Sequence, residues 1–290
     1  MPELPEVETV RLGLNQVTLH QTCVGGDVLL NRTIAHPLSV SDFIQGLEAT
    51  QIQQWHRRGK YLLAQLNSSS NAAAGWLGVH LRMTGQLLWV RQNEPLQKHT
   101  RVRLFFLGQQ ELRFVDQRTF GKMWWVEPPL EASDIITGLQ KLGPEPFSTE
   151  FSVSYFQTQL QRRQRPIKNA LLDQSIVAGV GNIYADEALF LSHIRPTTFC
   201  NTLTTPQIKQ LRESLIQVLQ DSISVGGTTI RNFLNVSGIN GNYGGNAWVY
   251  NRAGEPCRVC QTPIQRLKLA GRSAHFCPQC QPESLEKLLI

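Results

Sequence analysis

Residues 1–6 read Met-Pro-Glu-Leu-Pro-Glu, a start that can do chemistry. Met1 precedes a small residue, and its removal would leave Pro2 as a terminal secondary amine. An α-amino group titrates near about 7.7–8.0, so part of it is unprotonated and nucleophilic at neutral pH. Such amines attack carbonyl-like carbon and form Schiff bases. The iminium formed by a secondary amine stays positively charged and serves as an electron sink. Glu3, next in the chain, can give and take protons. The same residues also read as a plain helix start, with Pro5 in the first turn and Glu6 and Glu8 at the positive end of its dipole.

Cys257, Cys260, Cys277 and Cys280 are spaced C-x2-C-x16-C-x2-C, which is a zinc spacing. Each pair clamps one side of a tetrahedral ion. Four thiolates close the site, so one structural Zn2+ is expected, not a catalytic one. Disulfides are disfavoured in a reducing compartment. A segment this short has little core of its own, so the metal supplies much of its folding energy. Arg266, Lys268 and Arg272 lie between the pairs, on an expected hairpin that can grip phosphate. Cys23 and Cys200 are read as structural.

Gly179-Val180-Gly181-Asn182 follows an apolar stretch and opens a helix. Glycines there let backbone N–H groups approach a phosphate, with Asn182 as candidate cap. The pattern equally suits an ordinary helix start. Lys60 follows the turn Arg58-Gly59 and gains chemical interest only if the fold brings it to the N-terminus. Met83, Arg118 and Phe120 lie beside turns. Exposed apolar residues next to Arg at loop tips can wedge into a base stack, whereas Met or Phe alone more often packs in a core.

The net charge of +6 is unevenly spread. Residues 51–126 hold eleven Lys/Arg against three Asp/Glu, residues 251–290 carry a net +3, and residues 1–50 a net −4. Separated basic segments suit a polyanion, most obviously nucleic acid. The apolar runs are too short to span a bilayer, and the acidic N-terminus lacks a secretory core. A cytoplasmic location with the DNA, and no membrane partner, is therefore expected.

Val7, Val10, Leu14 and Val17 predict an amphipathic helix over 5–17. From about 24 to 126 short β-rich runs follow, at 52–55, 61–66, 76–81, 86–90, 102–107, 111–115 and 122–126. Such a series argues for a sandwich or a barrel. Ser68–Ala74 reads as a flexible insertion. Prolines mark a linker, and helices are predicted at about 152–162, 166–174, 183–193 and 205–223. A Gly/Asn-rich loop covers 235–247. The boundaries are 1–130 for a catalytic β domain, 131–151 for the linker, 152–234 for a helical domain and 235–290 for the loop and zinc finger.

Together these residues resemble the formamidopyrimidine-DNA glycosylase family over essentially the whole chain. The resemblance rests on Pro-Glu-Leu-Pro-Glu-Val-Glu, Arg58–Leu62, His80–Gly85, Asp116–Gly121, Gly179–Glu187, Gly226–Thr229 and the cysteine quartet. It implies an α+β multidomain fold: an N-terminal helix, an antiparallel β-sandwich, a helix–two-turn–helix domain and a β-hairpin zinc finger. It implies a bifunctional DNA glycosylase and AP lyase of base-excision repair. The enzyme would remove 8-oxoguanine and formamidopyrimidines from double-stranded DNA, with the lesion opposite cytosine, and would act as a monomer. Pro2 would be the nucleophile at C1′ and Glu3 the proton donor. Lys60 would serve β-elimination, and Arg272 δ-elimination. His99, Arg118, Arg163, Lys168 and Asn182 would hold the DNA backbone. Met83, Arg118 and Phe120 would fill the gap left by the extruded base, with Arg118 facing the orphaned cytosine. Gly226 to about Gly245 would form a loop over that base. No catalytic metal or organic cofactor is implied.

Two positions depart from the family pattern: Thr119 and Arg231 stand where many relatives have Arg and Lys. Three other readings remain open on sequence. One is an endonuclease VIII-like enzyme for oxidised pyrimidines, whose group instead opens Pro-Glu-Gly-Pro. Another is a non-catalytic protein that grips damaged DNA, which would need neither Pro2, Glu3 nor Lys60. The third is a zinc-ribbon protein of RNA metabolism.

Overall fold

The computed structural model describes residues 1–227 and 247–283. They divide into two units, the first chiefly Met1–Lys141 and the second chiefly Leu142–Ser224 with the cysteine segment.

In the first unit α1 (Leu4–Val17) buries Val7, Val10 and Leu14 completely. These side chains join a core shared with two sheets. One sheet runs β1 (Cys23–Val28), β7 (Thr100–Phe106), β8 (Gln110–Asp116), β6 (Gly85–Arg91). The other runs β2 (Ile34–His36), β9 (Lys122–Val126), β5 (Ala73–His80), β4 (Tyr61–Ser68), β3 (Thr50–Arg58). All neighbours are antiparallel except the short parallel pair β2–β9. The arrangement is a β-sandwich. Along β7 the residues alternate, with Val102, Leu104 and Phe106 inward, as a half-buried strand requires. β4 is instead buried on both faces from Tyr61 to Ala64. The outer face of β4 and β5 is covered by α3 (Ala132–Ile135) and α4 (Thr137–Gln140), where Ile136 lies against Gly78 of β5 and Gly138 against the Tyr61 hydroxyl.

The end of α1 is fastened to β3. The Asn15 side chain accepts from Trp55 N at 2.8 Å and donates to Trp55 O at 3.0 Å. The buried Trp55 indole donates to Thr18 Oγ1 at 2.9 Å. Two features differ from the sequence reading. α2 (Val40–Leu47), capped by Ser39, was hidden in the β-rich texture because it makes barely two turns, with Phe43 and Leu47 buried. Ser68–Ala74 is no insertion: β4 runs to Ser68, β5 starts at Ala73, and Ser68 N donates to Ala72 O at 2.8 Å. Polar composition marked a tight hairpin turn, not slack.

The second unit contains α5 (Val153–Gln161), α6 (Ile167–Leu171), α7 (Asn182–Leu191), α8 (Thr205–Ser224) and the hairpin β10 (Gln265–Leu269)–β11 (Arg272–Phe276). α7 is buried all round from Ile183 to Phe190. α8 lays Ile208, Leu211, Leu215, Val218 and Leu219 inward, the predicted stripe. Tyr184 and Ser222 join the two helices through their hydroxyls at 2.6 Å. Most of the Gly/Asn-rich loop expected at 235–247 lies outside the described residues. Among those described, no helix is long and apolar enough to cross a membrane.

One buried ion-pair network organises the first unit. Glu111 and Arg113 are i, i+2 on β8, so both lie on one face of the sheet, opposite to the core residues Leu112 and Phe114. Neither side chain has exposed surface, and they pair with each other. Glu111 also accepts from Arg103 at 2.6 Å. Arg113 donates to Glu94 O at 2.7 Å, Pro95 O at 2.8 Å and Gln97 Oε1 at 3.0 Å, fixing the segment that leads into β7. Removing one partner of a buried pair strands the other charge, at a cost of about 3–5 kcal/mol. Glu111→Gln is therefore expected to lower unfolding stability by that amount. Urea denaturation checks it, and a loss no larger than that of an exposed pair would contradict the assignment.

Candidate active site and nucleic-acid interface

Pro2 and Glu3 are buried at the head of α1, while Met1 ahead of them is 41% exposed. Glu3 is the N-cap. Its side chain accepts the Glu6 N–H, and the Glu6 carboxylate accepts from Glu3 N at 2.8 Å. This reciprocal capping box ties down a terminus that would otherwise fray. Both carboxyl groups are nearly inaccessible, Glu3 3% and Glu6 2% exposed.

Lys60 is brought towards the same helix. Arg58 pairs with Tyr61, so Gly59 and Lys60 make a two-residue turn, with Gly59 at φ +55°, where glycine carries no steric penalty. Arg57 donates to Gly59 O at 3.1 Å and to Glu8 of α1 at 2.9 Å. Glu8 also holds Arg11 at 2.6 Å. Burial would raise the Glu8 carboxyl, but Arg11 and Arg57 outweigh it and hold the pKa below the ordinary carboxylate range. Lys60 itself is only 7% exposed. His80, opposite Tyr61 across the β4–β5 ladder, stacks edge-on to it at 4.5 Å. Its Nδ1 accepts from Arg82 N at 3.0 Å, so the ring is held as a neutral acceptor. Burial, with Arg82 and Lys60 as nearby cations, pushes the His80 pKa down to about 3.

The loops carrying Met83 and Arg118–Phe120 meet at Asp116. This residue is 1% exposed. One carboxylate oxygen accepts the Thr84 hydroxyl, and the other accepts Gly121 N at 2.8 Å. Its amide donates to His99 O at 2.9 Å, and its carbonyl accepts from Arg101 at 2.8 Å. Thr84 in turn accepts from Arg118 N at 2.9 Å. Met83 is left 36% exposed and Phe120 51%, with the Arg118 guanidinium 5.0 Å over the Phe120 ring. Neither apolar side chain has gone to the core.

In the second unit the glycine turn is shaped by Gln174. Its Oε1 accepts from Gly179 N at 3.0 Å, and its Nε2 donates to Val180 O at 2.8 Å. Gly179 adopts φ +85°. Gly181, not Asn182, is the N-cap of α7, and Asn182 takes the first helical position with Oδ1 buried and unpartnered. Arg163 is half-buried after α5, its guanidinium 3.0 Å from Gln159 Oε1.

Lys168 requires a correction. It has no exposed surface and donates to Asp186 Oδ1 at 2.6 Å and to Ser273 O, so it does not reach a DNA backbone. The other Asp186 oxygen accepts from His275 N at 2.9 Å. The pair therefore fastens β11 to α6 and α7. Glu187, also fully buried, accepts from Trp248, Val249 and Tyr250 N at 2.7, 3.0 and 2.8 Å. Burial pushes its pKa up even so. Sequence reasoning gave Asp186 and Glu187 no role. The available signal was an acidic pair inside an otherwise apolar helix. Arg272 is exposed at the tip of the β10–β11 hairpin, paired with Leu269 across its turn.

The four sulfurs of Cys257, Cys260, Cys277 and Cys280 lie within 4.8 Å of one another. Zn–S bonds of about 2.3 Å in a tetrahedron put sulfurs close to 3.8 Å apart, so the quartet fits zinc. Val259 N and Cys280 N point at Cys257 and Cys277 Sγ, at 3.5 and 3.4 Å, as amides do towards thiolates. Burial pushes the Cys277 and Cys280 thiols up, so a bound dication is what lets all four ionise together. Gly226 and Gly227 both have positive φ, while the rest of the expected lesion loop, Arg231 included, lies outside the described residues.

Three family models match the chain: the formamidopyrimidine-DNA glycosylase N-terminal domain over residues 1–123, its H2TH domain over 142–234, and a zinc finger found in FPG and IleRS over 254–282. The formamidopyrimidine-DNA glycosylase of Nostoc punctiforme is 69% identical over 281 residues, covering 97% of this chain and 96% of that one. The Acaryochloris marina protein of the same name is 66% identical, covering 98% and 100%. Among solved structures, the Lactococcus lactis FPG mutant G226P in complex with Fapy-dG containing DNA superposes with a TM-score of 0.88 at 34% identity, covering 97% and 100%. The MutM (FPG) protein from Thermus thermophilus gives 0.85 at 37% identity, covering 98% and 100%.

Two outcomes follow from this geometry. His80 folds with a depressed pKa, so its contribution to stability is full above about pH 6.5 and is lost as pH falls from there towards 3. The melting temperature of wild type should fall more steeply over that range than that of His80→Gln; parallel curves would contradict the assignment. Cys260→Ala should release the zinc and loosen the hairpin, checked by metal analysis of the purified protein. A full complement of metal in that variant would mean the quartet is not the site.

Proposed function

The chain belongs to the formamidopyrimidine-DNA glycosylase family, DNA glycosylases with AP lyase activity, and we propose that it excises oxidised purines using Pro2 as nucleophile. What supports this most is the buried, cap-fixed Pro2–Glu3 pair on a helix that Glu8 and Arg57 tie to the Lys60 turn. A base inside a duplex is inaccessible, so the damaged nucleotide must first be extruded. The unstacking costs a few kcal/mol, which inserted side chains partly offset. Met83, Arg118 and Phe120 are the proposed insert, with Arg118 facing the orphaned cytosine.

After loss of Met1, the Pro2 amine attacks C1′ and displaces the base, and Glu3 gives a proton that helps open the sugar. The resulting iminium acidifies C2′–H. Lys60 handles proton transfer in the elimination that breaks the C3′–O bond, and Arg272 assists the second elimination on the 5′ side. His99, Arg163 and Asn182 are proposed backbone contacts. The zinc closes the hairpin and takes no part in these steps. One enzyme molecule per lesion suffices, so the working form is a monomer.

The test is borohydride trapping on duplex DNA with one 8-oxoguanine, set opposite each of the four bases in turn. A covalent adduct mapping to Pro2, strongest opposite cytosine, is expected. Met1 retention or Pro2→Gly should cut base excision severely, and Lys60→Ala should slow turnover by about 10²–10⁴-fold with binding largely kept. Full turnover by protein shown to retain Met1 would sink the nucleophile assignment.

A further inference from the structure

Arg32 has no part in the roles above. It lies in the single helical turn Asn31–Thr33 ahead of β2 and is solvent-exposed. Its guanidinium donates to the hydroxyl of Thr119, across 87 positions of sequence. Thr119 sits between Arg118 and Phe120 at φ +59°, a region that a β-branched residue enters only when its surroundings hold it there. Lys122 donates its ammonium to the Arg32 carbonyl. Three cations, Arg32, Arg118 and Lys122, thus gather around one exposed loop.

Among the described residues none of the three is in an ion pair. The carboxylate at the foot of the loop, Asp116, is buried and spent on Thr84 and Gly121. Like charges on one loop repel, and an anion relieves the repulsion. Arg32 spends one N–H on Thr119 and keeps the rest of its planar fork, which matches the oxygens of a phosphate. The tether also removes side-chain freedom in advance, so less is lost on binding. Exposed Phe120 beside the cluster suits a phosphate attached to stacked bases better than a free anion.

We propose that Arg32, held by Thr119, grips a DNA backbone phosphate beside the Gln117–Phe120 loop. The inference rests on the DNA-glycosylase reading above and adds a contact to it. The experiment measures affinity for a short duplex carrying one abasic site, as a function of salt, for wild type, Arg32→Gln and Thr119→Val. Loss of one phosphate contact should reduce the slope of log K against log salt by about 0.9 in Arg32→Gln, with weaker binding to all sequences alike. Thr119→Val should weaken binding several-fold, because the cation remains but its placement is lost. The double variant Arg32→Gln/Thr119→Arg should restore the slope by returning a cation to the loop. A slope for Arg32→Gln equal to wild type overturns the contact. Unchanged affinity in Thr119→Val overturns the tether. Absence of duplex binding by wild type would instead strike the DNA reading itself, so the two failures are distinguishable.

Discussion

A carboxylate taken out of water must be given donors in place of its hydration, or the burial is prohibitively costly. Much of this molecule follows from where those donors come from. Asp116 draws them from the Met83 and Arg118 loops. Asp186 draws them from Lys168 and β11, and Glu187 from three successive amides at 248–250. Glu111 draws them from two arginines, one of which in turn fixes the segment before His99. In each case the buried anion fastens a surface segment that supplies a proposed DNA contact or the zinc hairpin. The loops are free in sequence but not in position, because releasing one leaves a charge unpaired.

The zinc hairpin shows why such fasteners are needed. Among the described residues, the buried apolar cluster around the zinc site comprises Phe190 of α7, Val249, Cys257, Ile264 and Cys277. That is too small to order two strands and two knuckles without metal. The metal fixes the base of the hairpin, and Asp186 fixes the β11 edge through His275 and the Lys168 contact with Ser273. Gln281, fully buried, adds a clamp between Cys277 N and Ile194 O. Arg272 at the tip thereby acts from a braced arm.

The zinc site was legible because paired C-x2-C spacing has few other uses, whereas the proline start and the glycines before α7 also suit ordinary helix starts. The long amphipathic helices were legible through their apolar repeat, as in α8. What escaped the sequence was pairing across distance. Lys168 was expected to hold the DNA backbone only through the family resemblance, and nothing local reveals that Asp186 lies 18 positions on at 2.6 Å. The brace from Glu8 to Arg57, the Gln174 clamp on the glycine turn and the Asp116 hub are likewise side-chain contacts without a periodic signature. α2 was missed because it makes barely two turns within a β-rich stretch, and the Ser68–Ala74 composition suggested slack where sheet pairing closes a turn.

Glu3 shows how the two readings of the N-terminus are joined. As a helix start, the segment needs Glu3 to accept the Glu6 N–H and Glu6 to accept the Glu3 N–H. As a catalyst, it needs Glu3 to move a proton. A carboxylate has two oxygens and several lone pairs, so one oxygen can serve the cap while the other serves chemistry. Nor is the cap incidental to the proposed nucleophile. Terminal residues are ordinarily poorly ordered, and a wandering amine forfeits the rate advantage of a fixed approach to carbon. The capping box and the burial of Pro2 and Leu4 remove that freedom before any substrate arrives. An N-terminal nucleophile therefore requires a strong helix start, and the features that first suggested a merely structural role are the conditions under which the proposed chemistry can work.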